Sequence, residues 1–298
     1  MNRGFVEAII AYTLWGILPI FWKTMTDIPS QEILAHRILW SFILLIVILG
    51  LRRQWSWIKE SLFTKKVFFT YLGSSVLIGG NWFVYIWAVN SGHIVESSLG
   101  YFINPLVSVF LGVLFLKEKL RSWQWVSIIT ATLGVTFLTI RFGAVPWIAL
   151  SLAFTFGFYG LIRKTAPLGS ITGLATETAF LVVPVLAYLI YLEIHSIGSF
   201  GHVGLGKSSL LSSAGIATAV PLLFFAAAIK KVRLSTMGLI QYLAPTLQLM
   251  VGVLIFNENF SKDRIIGFSI IWLALIIYSV EGLITHRSNS RLRNSLPA

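Results

Sequence analysis

The chain of 298 residues is 56% hydrophobic and only 11% charged, against about a quarter charged in an ordinary soluble domain, and its mean hydropathy of +0.83 excludes a water-soluble globule. There is no cysteine, which excludes disulfides, thiolate metal sites and a cysteine nucleophile. The formal net charge of +12 would suit nucleic acid only if the basic residues shared one water-exposed face.

Apolar runs of spanning length predict ten helices in chain order: Gly4 to Trp22, Ile33 to Leu51, Val67 to Val89, Val95 to Leu116, Trp123 to Ile140, Ala144 to Ile162, Ile171 to Tyr191, Leu210 to Ile229, Leu234 to Phe256 and Ile265 to Ile284. At about 20 residues per span, ten spans use roughly 200 residues and leave about ten per connection, too few for a separate soluble domain. The first run follows Arg3 like a signal peptide but continues through Tyr12, Trp15, Pro19 and Trp22 without a small-residue cleavage site, so it reads as a retained helix.

The placement of the cations sets the expected topology. With a cytoplasmic N-terminus, 17 of the 23 lysines and arginines fall in inner segments, five in outer ones, and Arg37 lies inside the second span. This bias predicts that both termini are cytoplasmic. The basic pI then reflects topology and attraction to anionic lipid, and nucleic acid is not implied.

A shift of 140 residues lays Pro105, Gly112, Val113, Leu114 and Glu118 on Pro245, Gly252, Val253, Leu254 and Glu258, and Leu34 and Ala35 on Leu174 and Ala175. Five spans fit in that period, so the second half enters the membrane from the opposite side. The charges agree: neutral Asn90 to His93 pairs with basic Lys230 to Arg233, and basic Lys117 to Arg121 pairs with Asn257 to Ser261. The expected fold is an all-α integral membrane protein of two inverted five-helix repeats, residues 1–142 and 143–286, with a cytoplasmic tail at 287–298. Many secondary transporters share that plan.

The strings NWFVYIWAVN (Asn81 to Asn90), SLGYFINPL (Ser98 to Leu106), AVPLLFFAAA (Ala219 to Ala228) and GLIQYLAPT (Gly238 to Thr246) resemble those of RarD-type permeases, in the EamA branch of the drug/metabolite transporter superfamily. The resemblance runs over nearly the whole chain. It implies ten helices in two EamA repeats, a central cavity, and export or exchange of small organic molecules across the bacterial inner membrane, with no cofactor and no particular substrate.

Candidate site residues follow from the sequence itself. Pro105 and Pro245 fall inside apolar spans, where each ring removes a helical hydrogen bond and frees the carbonyl four residues earlier, at Tyr101 and Gln241. Matched interruptions in two halves point to a binding site at mid-membrane, although proline also kinks membrane helices merely for packing. At helical spacing Tyr101, Asn104, Ser108 and Gly112 share a face, as do Gln241, Gln248 and Gly252. Asn81, Trp82 and Tyr85 in the third span and Trp15 in the first add amide and aromatic surface to the expected substrate site. Trp55, Trp57, Trp123, Trp125 and Trp147, at span ends, read as interface anchors, whereas Trp87 lies deeper.

Arg37 and Glu177 are the costly charges within spans. Arg37 reads as a carboxylate anchor or gate, or else as snorkelling or paired with Glu96. Glu177 reads as a proton-coupling group, or else as paired with an inner cation such as Lys164. The expected partners are a small-molecule substrate, the lipid bilayer and protons, with a homodimer left open. An enzyme finds thin support, since His36 has only Glu32 nearby and no triad or metal constellation emerges. Glu193, His195 and His202 could hold a metal but read as a solvated loop; a passive channel is the other alternative.

Overall fold

A computed structural model describes residues 3–56, 58, 64–91, 93–143, 145–257 and 262–294. Apolar side chains dominate the runs, and in the absence of water a helix satisfies each backbone group within its own segment. The helices are α1 (Arg3–Trp22), extended by a 3-10 turn (Lys23–Met25), α2 (Ser30–Leu51), α3 (Lys65–Asn90), α4 (Ile94–Leu116), α5 (Ser122–Phe142), α6 (Trp147–Thr165), α7 (Ser170–Ile194), α8 (Leu205–Ile229), α9 (Leu234–Gln241), α10 (Leu243–Leu254) and α11 (Lys262–Asn294). Among the described residues there is no strand. Glu258, which the repeat matches with Glu118, lies outside the described residues, as do Trp57 and the last four residues of the tail.

Nine helical segments among the described residues are long and apolar enough to cross a membrane, α9 and α10 counting as one. The tenth expected span, α6, has 19 residues and carries Arg163 and Lys164 in its last turn, which shortens its apolar stretch. It packs nonetheless within the bundle, against α3 and α4. Phe69, Phe83, Phe110, Leu133, Val183 and Ile276 point outward. Such a continuous apolar exterior suits lipid and not water.

The packing partners exchange under the 140-residue shift. The α4–α6 contact has its counterpart in α10–α1, α1–α8 in α6–α3, and α2–α8 in α7–α3, while α2–α7, α4–α9 and α5–α11 map onto themselves. Two close approaches fix the crossings. A Cβ on Gly238 would lie 2.5 Å from the Pro105 carbonyl oxygen, where α9 crosses α4, and one on Gly16 would lie 2.5 Å from Leu247 Cβ, where α1 crosses α10.

The two prolines behave differently, which corrects the expectation that both break their helices. Helix α4 runs unbroken through Pro105. Its partner span divides at Tyr242, three residues before Pro245. Proline cannot return a hydrogen bond to Gln241, and the turn before it tightens: the Tyr242 amide donates to the Leu239 carbonyl at 3.3 Å. In α4 the turn preceding Pro105 instead gains a side-chain donor, as the Tyr242 hydroxyl donates to the Phe102 carbonyl at 3.2 Å.

Candidate functional site

A cavity of about 450 Å³ occupies the middle of the bundle, within the range of small-molecule sites. Trp15, Asn81, Trp82, Tyr85, Tyr101, Asn104, Gln241 and Gln248 all line it, together with Arg37 and Pro245. Pro105 and Glu177 do not. The expected polar face of α4 divides: Tyr101 and Asn104 reach the cavity, whereas Gly112 packs on the Ser235 amide of α9.

Each amide has a distinct position in the wall. Asn81 Nδ2 donates to the Leu152 carbonyl and to Thr155 Oγ1, both at 2.9 Å, tying α3 to α6. Gln248 Nε2 donates to the Trp15 carbonyl at 3.1 Å, tying α10 to α1. Asn104 is 5% exposed, and its Oδ1 is buried with no hydrogen-bond partner among the described residues. Tyr85 and Tyr101 meet edge to face, ring centroids 6.0 Å apart.

Arg37 sits two turns into α2. Its Nε donates to Thr218 Oγ1 at 2.9 Å, and its guanidinium lies 4.6 Å from the Trp22 ring and 5.3 Å from the Trp82 ring. The considered pairing with Glu96 is absent, because Glu96 Oε1 instead accepts the Ile148 amide at 2.7 Å, capping the start of α6. A carboxylate is worth most where free amides need an acceptor, as at a helix N-terminus.

Glu177 lies in a separate buried cluster between α3, α6 and α7. Ser74 Oγ donates to its Oε1 at 2.7 Å and Tyr159 donates to its Oε2 at 3.2 Å. The paired cation is Arg163, at 3.5 Å with both side chains at most 1% exposed, and not Lys164. Lys164 donates to the Ile229 and Val232 carbonyls, at the unsatisfied end of α8. Lys230 reaches the Ala166 and Leu168 carbonyls, and burial, with the Arg163 guanidinium nearby, pushes its ammonium below the usual lysine range.

The cavity is asymmetric along the bundle. At one end its lining reaches the α1–α2 connection, through Met25, Thr26 and Ile28. Toward the N-terminal end it stops at a cluster of rings. Trp15 meets Phe156 and Phe225 with centroids 6.0 and 5.6 Å apart, and Tyr159 stacks on Phe225 at 6.1 Å. Below these rings, Lys231 Nζ bonds both Glu7 carboxylate oxygens at 2.6 and 2.7 Å, and Glu118 accepts the Leu234 and Ser235 amides.

Several lining residues had no sequence signal. Trp22 stands at a span end and Thr218 is one hydroxyl in an apolar run; only their contact with Arg37 marks either. Trp87, considered for the wall, is 41% exposed and stacks on His93 outside the cavity. Trp55, Trp123, Trp125 and Trp147 are exposed at helix ends. In the α7–α8 connection, His202 pairs with Glu193 at 3.2 Å and His195 lies against Tyr191; no group of three potential metal ligands occurs among the described residues.

A helical bundle with an apolar exterior and one polar, ring-lined cavity at mid-depth defines a multi-pass membrane permease. Residues 2–140 match the EamA-like transporter family. The chain is 43% identical over 290 residues to Protein RarD of Escherichia coli (strain K12), covering 97% of this chain and 98% of that protein. It is 45% identical over 298 residues to Protein RarD of Streptomyces exfoliatus, covering 99% and 94%. A crystal structure at 17% identity shares the fold, with a TM-score of 0.70 over 93% of this chain and 97% of the other. The chain belongs to the EamA-like transporter family, among its RarD-type permeases.

Proposed function

We propose that the protein is a secondary carrier of a small organic metabolite or drug in the bacterial inner membrane, working by alternating access of two inverted five-helix halves. The observation that carries this reading is a cavity closed at one end: its wall draws on α1, α2, α3, α4, α6, α8, α9 and α10, and stacked rings seal that end. With the termini cytoplasmic, the sealed end is the inner one and the conformation faces outward. The exchange of packing partners between halves supports a second conformation in which the roles of the ends reverse.

In this reading Arg37, Asn104, Gln241 and the aromatic wall bind substrate. Glu177 couples transport to protons through Tyr159, which touches both the carboxylate and the Phe225 ring of the seal. A ring seal with no open path favours a carrier over a channel. Counterflow by purified protein in liposomes preloaded with a metabolite mixture tests it. Saturable efflux exchange is expected, and flux that rises linearly with concentration and shows no exchange would establish a channel instead.

A further inference from the structure

Arg37 is the one charged residue among those lining the cavity. No carboxylate lies within 4.0 Å of it among the described residues, and the acidic groups that could have served are engaged elsewhere. Glu96 caps α6, and Glu32 accepts the Ser199 amide and hydroxyl at 2.6 and 2.8 Å. A guanidinium carries five N–H donors in a planar fork suited to carboxylates. Among the described residues its one hydrogen bond runs from Nε to Thr218, so the fork keeps donors for an incoming group. A charge held at this depth without a counter-charge costs a few kcal/mol or more, and the faces of Trp22 and Trp82 offset only part of that. An anionic ligand would supply what the protein omits.

We propose that the cavity selects organic anions: solutes whose carboxylate docks on Arg37 while a flat, apolar body lies against Trp82 and Tyr101. This rests on the carrier reading of the same cavity. Cations are disfavoured because no acidic side chain lines the cavity among the described residues, and a zwitterion finds no carboxylate there for its ammonium.

Three probes of one shape separate charge from fit: 2-naphthoate, 2-naphthamide and 2-naphthylmethylamine, titrated onto the full-length protein in nanodiscs at neutral pH. The carboxylate should bind at least about tenfold more tightly than the amide, the size of one charge-assisted pair, and the amine most weakly. Arg37→Gln should bring carboxylate and amide to near equality, chiefly by weakening the carboxylate, and Arg37→Lys should keep part of the preference. A bracing role for Arg37 would instead weaken all three probes together. Wild-type binding of amide or amine as tight as carboxylate, no binding of carboxylate, or a preference surviving Arg37→Gln overturns the proposal. Counterflow of the same probes separates the two readings. Saturable exchange without charge preference leaves the carrier and removes the anion; preferential carboxylate binding with linear flux does the reverse.

Discussion

The hydroxyl of Tyr242 donates to the carbonyl of Phe102 at 3.2 Å, and these two residues are equivalent under the 140-residue shift. The bond ties Tyr242, between α9 and α10, to α4, at the crossing of the two spans that this shift matches. It also meets the turn that Pro105 disturbs. Tyr242→Phe removes only the hydroxyl and should lower stability by about 1 kcal/mol, read as an earlier midpoint in unfolding by SDS in mixed micelles. An unchanged midpoint would mean that the bond contributes nothing.

About one turn away in the same crossing, Gly238 has no room for a methyl group, because a backbone oxygen stands 2.5 Å from its would-be Cβ. A backbone atom cannot swing aside as a side-chain tip can. Gly238→Ala should cost about 1–3 kcal/mol in the same assay, whereas Gly80→Ala, where a Cβ meets nothing within 4 Å, should cost little.

Asn104→Leu and Gln241→Leu should each raise the apparent substrate constant by roughly 5- to 150-fold, the effect of losing about 1–3 kcal/mol of polar compensation at a desolvated site. Because Asn104 Oδ1 has no partner among the described residues, its replacement should leave the amount of folded protein unchanged. Leu106→Met is a suitable control. Leu247 is not, since it packs on Gly16. Transport kinetics indistinguishable from wild type in both amide variants would move the site elsewhere.

Removing one member of the buried Arg163–Glu177 pair leaves the other charge stranded, at about 3–5 kcal/mol. Glu177→Gln alone should therefore express poorly, and Glu177→Gln with Arg163→Met should recover folded protein. In the recovered variant, proton-driven accumulation should be lost while counterflow persists. Wild-type pH dependence in that variant would leave Glu177 as a structural anion only.

Reporter fusions after His286 and within Lys230 to Arg233 should read cytoplasmic, and one near His202 should read external. A cytoplasmic signal at His202 would end the inverted-repeat reading.

Much of this arrangement was legible in the linear pattern because membrane helices announce themselves by length and because amides and tryptophans are conspicuous in apolar runs. Seven of the eight expected wall residues lie on α3, α4, α9 and α10, where helical spacing groups them on shared faces, and packing brings Trp15 to them from α1. Other features carried no such mark. Arg163 lies at the end of α6 beside Lys164, where any cation reads as topology, and only packing shows that it is fully buried while its neighbour reaches backbone carbonyls. Pro105 reads like Pro245, yet one is carried within a continuous helix and the other follows a tightened turn.

Beside the side-chain pairs Lys231–Glu7 and Ser235–Glu118, many ties beneath the ring seal are made to main-chain groups: Lys164 and Lys230 to carbonyls, Glu118 to amides, Arg233 to the Lys119 carbonyl. Water can take the place of each of these main-chain partners when that end parts, at a net cost near 1.5–3 kcal/mol each, since every such bond involves a charged side chain. The rings have no such substitute. Wetting Phe156, Tyr159 and Phe225 exposes apolar surface, whose hydration carries a positive heat-capacity change. The balance between outward- and inward-facing forms should therefore curve with temperature, and cold should favour the form in which these rings are wet.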